Sequence, residues 1–152
     1  MNAPIRAGVI GVGSVAEKYI PQMQHMNVPR PRVDIAVVCD AVPEKREVAK
    51  RRYGLENFTT DYRDVVSDPS IDLVLVLTSM QQHWEIAKAA VEAGKHVLVE
   101  KPMAMTLPQA AELVSLARHS PGYLVCAPHV VLSPTYQAIW KRLDEGAIGT
   151  VL

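Results

Sequence analysis

Six residues near the start of the chain, Gly11-Val12-Gly13-Ser14-Val15-Ala16, make a G-x-G-x-x-A turn directly after a short apolar run. Each small residue has a job where a dinucleotide binds. Gly11 turns the chain sharply out of a strand, Gly13 lets the backbone approach a pyrophosphate, and Ala16 lets helix and strand pack closely. The phosphates then rest on free amides at a helix N-terminus, where the macrodipole favours negative charge. Glycine turns also make ordinary tight corners, so the motif alone leaves both readings open. Asp40, at the end of the next Val- and Ile-rich run, is the second candidate group. A carboxylate there accepts hydrogen bonds from the adenosine ribose hydroxyls and repels the extra phosphate of NADP. It comes later than the usual interval of about 20 residues, because residues 27–32, with two prolines, lengthen the connection. The alternative is an Asp that only starts a turn and caps a helix from Pro43.

The elements that must position these groups alternate in type. Short Val- and Ile-rich runs predict strands at residues 5–10, 33–39, 71–77, 96–99 and 123–126, with a further short strand before Thr60. Helical patterns fill the intervals: residues 14–25, where Pro21 kinks or re-caps the helix, then 43–53, 61–66 and 81–93. Gly54 and Gly94 are placed as helix stops. Thr106-Leu107-Pro108-Gln109 has the spacing of a capping box for the next helix, whose stripe is Ala110, Leu113, Leu116 and Ala117. This alternation predicts an α/β fold, a doubly wound and mostly parallel sheet. Ligands in such sheets bind beyond the carboxyl ends of the strands, so Gly11, Asp40, Thr78 and Glu100-Lys101 should converge on one edge. The charged helix at 43–53 reads as a solvated face with a Glu47–Arg51 pair. A lesser alternative has Lys45 or Arg46 reaching the adenosine end, which keeps NADP beside NAD as a cofactor.

Composition removes other classes. The 152 residues suit one domain with a proper core, and the 16 basic and 16 acidic side chains cancel, leaving no electrostatic footprint for nucleic acid. The most apolar stretch, residues 73–77, is far shorter than the roughly 20 residues a membrane span needs. The first residues lack the apolar core of a signal peptide and run into the first strand, which points to the cytoplasm. Cys39 and Cys126 sit in apolar runs and read as reduced core thiols. His25, His119 and His129 have no partners at metal or catalytic spacing, so neither a metal site nor a nucleophile triad is expected.

The run Ala89-Ala90-Val91-Glu92-Ala93-Gly94-Lys95-His96-Val97-Leu98-Val99-Glu100-Lys101-Pro102 is more specific than any fold pattern. It closely resembles the A-x-x-A-G-K-H-V-x-x-E-K-P signature of the glucose-fructose oxidoreductase, inositol dehydrogenase and rhizopine-catabolism (Gfo/Idh/MocA) oxidoreductase family. The resemblance extends over the glycine turn, Asp40, Asp72, the Thr78-x-x-x-x-His83 loop and the segment from Gly146 to Val151. It implies an NAD- or NADP-dependent oxidoreductase acting on a sugar, cyclitol or related polyhydroxy compound. By position, residues Gly11, Val12, Gly13, Ser14, Val15 and Ala16 would hold the pyrophosphate and Asp40 the ribose. Thr78 and His83 would form the loop beside the cofactor, and Glu100 would contact the nicotinamide riboside. Lys101 would be the catalytic lysine, followed by a cis bond to Pro102.

The chemistry agrees with that role for Lys101. Oxidising an alcohol by hydride transfer also requires its hydroxyl proton to leave, so a group within hydrogen-bond reach must take it, relay it or polarise the oxygen. The alternative for Glu100 and Lys101 is an exposed ion pair at a strand end. For His83 it is a helix-start residue satisfied by backbone.

The chain also departs from the family pattern. Thr78-Ser79-Met80-Gln81-Gln82-His83 lacks the usual Pro and Asn, so the loop loses an amide hydrogen bond at Met80. Val131 and Leu132 stand where an Arg and an aromatic are usual, which predicts a more apolar pocket end. Residues 1–126 are expected to be the dinucleotide-binding domain. Residues 127–152 would be a linking helix and the start of a second domain that supplies substrate contacts and a homo-oligomer interface. The stripe Tyr136, Ile139, Trp140 and Leu143 would then pack against that domain. Two alternatives stand beside the enzyme: a non-enzymatic cofactor-sensing regulator of the same fold, and an interaction module whose glycine turn is structural.

Overall fold

The computed structural model describes residues 3–25, 32–127 and 133–150. Strands β1 (Ile5–Ile10), β2 (Val33–Cys39), β3 (Phe58–Thr59), β4 (Leu73–Val76), β5 (His96–Glu100) and β6 (Leu124–Ala127) form one sheet. Their order is β3-β2-β1-β4-β5-β6 and every pairing is parallel, so the expected doubly wound α/β sheet is the fold found.

Alternation along each strand decides which helix covers which face. Ala7 and Val9 of β1 and Leu75 of β4 pack under α1 (Ala16–His25) and α2 (Lys45–Tyr53), against Ile20, Met23, Ala49 and Tyr53. Ile10, Val74, Val76, Val97 and Val99 face α3 (Tyr62–Ser67), α4 (Met80–Glu92) and α5 (Leu107–His119), against Val65, Ile86, Ala90 and Leu113. With both faces covered, the strands can be apolar at nearly every position, which is why they read as continuous runs. α1 keeps its helical course through Pro21, and the following connection, residues 26–31, lies outside the described residues.

Local punctuation follows the sequence closely. Gly54 closes α2 in the left-handed conformation, and the Asp61 carboxylate caps α3 by accepting from the Arg63 amide. Such a cap is worth about 1 kcal/mol. Thr106 caps α5 by accepting from the Gln109 amide, but the reciprocal half of the box does not form and the buried Gln109 Oε1 has no partner. The helix α6 (Pro134–Asp144) buries no residue. Tyr136 and Ile139 are each 48% exposed and Trp140 is 72% exposed, so the expected apolar stripe lies open.

Candidate functional site

Register places the candidate residues in one row. Ile10 is level with Cys39 on one side and Val76 on the other, and Val76 is level with Val99. The next residues along are Gly11, Asp40, Leu77 and Glu100, all leaving the carboxyl edge of adjacent strands. A cleft of about 330 Å³ opens there, lined among others by Gly11, Gly13, Ser14, Val15, Asp40 and Thr78.

The glycine turn is locked to its neighbours. The Gly11 amide donates to the Cys39 carbonyl at 2.8 Å, and the Leu77 amide donates to the Ile10 carbonyl at 2.8 Å. Gly11 has φ +103°, and a Cβ there would lie 2.6 Å from the Leu77 carbonyl carbon, so the fold itself demands glycine. Gly13 differs. A Cβ there would meet nothing within 4 Å, although the residue lines the cleft. The protein's own packing therefore does not require a bare backbone there. The Gly13 and Ser14 amides donate to no protein acceptor among the described residues, and they precede the first turn of α1. These two observations fit a pyrophosphate, which needs close backbone approach and free amides.

Asp40 does more than end β2. Its Oδ2 accepts from the Val12 amide at 2.8 Å and its Oδ1 accepts from the Val42 amide at 3.0 Å. The Val12 amide is therefore spent inside the protein, and Asp40 fixes both its own turn and the glycine turn. It does not cap α2, whose N-cap is Glu44 with no side-chain bond. Each carboxylate oxygen has spare acceptor capacity for a ribose hydroxyl. Arg46, a candidate for the adenosine end, is engaged elsewhere: Nη2 donates to the Phe58 carbonyl at 3.2 Å and the guanidinium lies 5.0 Å over the Phe58 ring. Val12 and Ala16 are buried beneath the turn.

The β5 side is built differently. His83, 2% exposed, lies below the loop and not in the cleft lining. Its Nδ1 is 2.7 Å from the Pro102 carbonyl oxygen and its Nε2 is 3.1 Å from that of Thr78. The ring thus spans the exits of β4 and β5, with a carbonyl oxygen within hydrogen-bond distance of each ring nitrogen. Glu100 is 8% exposed; its Oε2 accepts from the Lys101 amide at 3.1 Å and its Oε1 from the Tyr19 hydroxyl at 2.8 Å. Lys101 itself is exposed and makes no ion pair with Glu100, and the Lys101–Pro102 bond is cis. Burial and the Glu100 contact both push the Tyr19 phenol well above its ordinary value, so it stays a donor. Burial pushes the Cys39 thiol up to about 12 and raises Cys126 as well, which makes both poor nucleophiles.

Sequence reasoning passed over Tyr19, and also Thr60, Tyr62 and Gln82, which complete the cleft wall. Tyr19 carries a weak local signal, lying one turn after Ala16 on the helix that the glycine turn opens. Met80, where an amide was expected to be lost, begins α4 with its side chain exposed, and Val131 and Leu132 lie outside the described residues.

The family model described as an oxidoreductase family with an NAD-binding Rossmann fold matches residues 5–126. The chain belongs to that family. Levoglucosan dehydrogenase of Pseudarthrobacter phenanthrenivorans is 33% identical over 97% of this chain and 39% of its own length. A solved structure of a levoglucosan dehydrogenase, in complex with NADH and levoglucosan, superposes with a TM-score of 0.88 at 32% identity, over 99% of this chain and 42% of that one. Inositol 2-dehydrogenase/D-chiro-inositol 3-dehydrogenase of Lactiplantibacillus plantarum is 29% identical over 97% of this chain and 42% of its own length. A 3-ketoreductase of Actinomadura kijaniata, in complex with TDP-benzene and NADP, superposes with a TM-score of 0.81 at 29% identity, over 97% of this chain and 45% of that one. The chain thus spans about two fifths of the length of these NAD-binding oxidoreductase relatives. No helix among the described residues is long and apolar enough to cross a membrane.

Proposed function

We propose that this chain is the cofactor-binding part of an NAD-dependent oxidoreductase that moves hydride between the nicotinamide and a CH–OH group of a sugar, cyclitol or related polyhydroxy substrate. The observation that carries the reading is the row Gly11, Asp40, Leu77 and Glu100 at one sheet edge, opening on a cleft where Gly13 is bare without a packing reason. The names of the relatives support the substrate class, and the Asp40 carboxylate favours NAD over NADP. Residues 1–126 are the dinucleotide domain, and residues 127–152 lead into a second domain that completes the substrate pocket and a homo-oligomer. The free thiols of Cys39 and Cys126 suit the reducing cytoplasm.

In this reading the cofactor supplies the hydride-accepting ring. The Gly13 and Ser14 amides and the N-terminus of α1 bind the phosphates, with Val15 and Ala16 shaping the turn. Asp40 accepts from the ribose hydroxyls, and the Thr78 loop, braced by His83, walls the opposite side. Glu100 holds the nicotinamide riboside, while Lys101 Nζ takes or relays the proton of the substrate hydroxyl. Calorimetric titration of the chain with NADH should show saturable binding, and no heat at millimolar cofactor would overturn the reading. In the full-length enzyme, Lys101→Ala should cut kcat by about a hundredfold or more with cofactor affinity retained. Unchanged turnover would remove the lysine from the chemistry.

A further inference from the structure

Glu100 is a buried carboxylate with no cationic partner among the described residues. Its two oxygens are met by two donors, the adjacent Lys101 amide and the Tyr19 hydroxyl. The second comes from 81 positions away in sequence, on α1. That helix begins directly after Gly13, Ser14 and Val15, so Tyr19 lies about one helical turn beyond the residues that line the cleft. Across the sheet, Asp40 leaves β2 and Glu100 leaves β5, on opposite sides of the turn. A dinucleotide with its adenosine ribose at Asp40 and its phosphates at Gly13 must therefore direct its nicotinamide half toward the Glu100 side.

We infer that Tyr19 is a positioning residue for the nicotinamide end: its hydroxyl holds Glu100, and through Glu100 the start of the lysine loop, in register with the phosphate-binding helix. This rests on the cofactor reading above. The geometry favours a dedicated donor over incidental packing. A phenol that burial and the Glu100 contact keep protonated can only donate to a carboxylate, which can only accept. The loop is held a second time, by His83 on the Pro102 carbonyl, but that brace comes from α4 and carries no information about where the glycine turn lies. Tyr19 alone among the described side chains joins Glu100 to the helix of the glycine turn. Removing its hydroxyl frees the carboxylate to rotate without opening the core, because the ring itself still packs with the α1 face of the sheet.

Tyr19→Phe tests this, read with NADH and with ADP-ribose, which keeps the adenosine and both phosphates but lacks nicotinamide. The variant should bind ADP-ribose within about twofold of wild type and NADH roughly fivefold more weakly. It should also lose the change in nicotinamide fluorescence on binding. Combined with Glu100→Ala, it should cost no more than Glu100→Ala alone, because both changes cut the same link. Equal weakening of both ligands would make Tyr19 merely structural, and no weakening of NADH would leave it without a role; either result overturns the inference. A wild-type chain that holds NADH no tighter than ADP-ribose also overturns it, since Glu100 then makes no nicotinamide-side contact. A wild-type chain that binds neither ligand overturns the cofactor reading itself.

Discussion

The two halves of the sheet edge are built on opposite plans. On the β2–β1–β4 side, the backbone shapes a half-open cleft: Gly11 wedges against Leu77, Asp40 pins Val12 and Val42, and Gly13 and Ser14, whose amides meet no protein acceptor among the described residues, line the wall. The β5 side rests on side chains. A buried carboxylate and a buried imidazole are braced from below by α1 and α4, while Lys101 stands exposed above them. The first half is shaped by main chain, which suits a ligand with fixed phosphates and sugars. The second is shaped by side chains, with Lys101 as its exposed group. The same contrast recurs on a larger scale, since the sheet is covered on both faces while α6 buries nothing and leaves Trp140 open.

Substitutions in the glycine turn separate these plans most sharply. Gly11→Ala should have the largest effect, because its methyl would strike the Leu77 and Thr78 backbone at a left-handed φ. A loss of about 3 kcal/mol in a denaturant melt, with NADH binding abolished, is expected. A variant as stable as wild type would show that the turn is not wedged against β4.

Asp40→Ala comes next. It removes two backbone hydrogen bonds as well as the proposed ribose acceptor, so calorimetry should show NADH weakened by about 30- to 100-fold. NADPH should lose less, because the variant also removes a negative charge from beside its extra phosphate. Equal losses would leave Asp40 as a latch of the glycine turn and nothing more. Gly13→Ala is the smallest and the most diagnostic. Its methyl meets open space, so the melting midpoint should stay put while NADH affinity drops about tenfold. An unchanged affinity would mean that nothing approaches the backbone there, and the distinction between the two glycines would collapse.

How much of this was legible depended on whether the cause was local. Gly54 and Gly94 both end helices with positive φ, and Thr106 caps, because a helix end is decided by a few adjacent residues. The strands were equally readable, since burial on both faces leaves little room for polar side chains in a run such as residues 73–77. The Glu47–Arg51 pair forms at 3.3 Å for the same reason of short range. The alternative that Asp40 caps α2 failed by only a few residues, because its carboxylate found the Val12 amide, one residue beyond Gly11, which the parallel pairing of β1 and β2 brings level with Asp40. The capping box at Thr106 formed only by half, since burial of the Gln109 side chain was not visible from spacing.

By itself, then, the sequence determined the order of strands and helices, the glycine turn, the acid after β2 and the Glu100-Lys101-Pro102 run. Those depend on side-chain size, φ preference and short-range periodicity, which neighbouring residues settle among themselves. Only the tertiary structure decided that Gly11 is required by the fold while Gly13 is not, that His83 braces instead of lining, and that Tyr19 reaches Glu100. Each of these depends on parallel strands far apart in the chain lying level at one edge. Such a meeting is a property of the packed sheet, because only closing it brings donors and acceptors within hydrogen-bond reach.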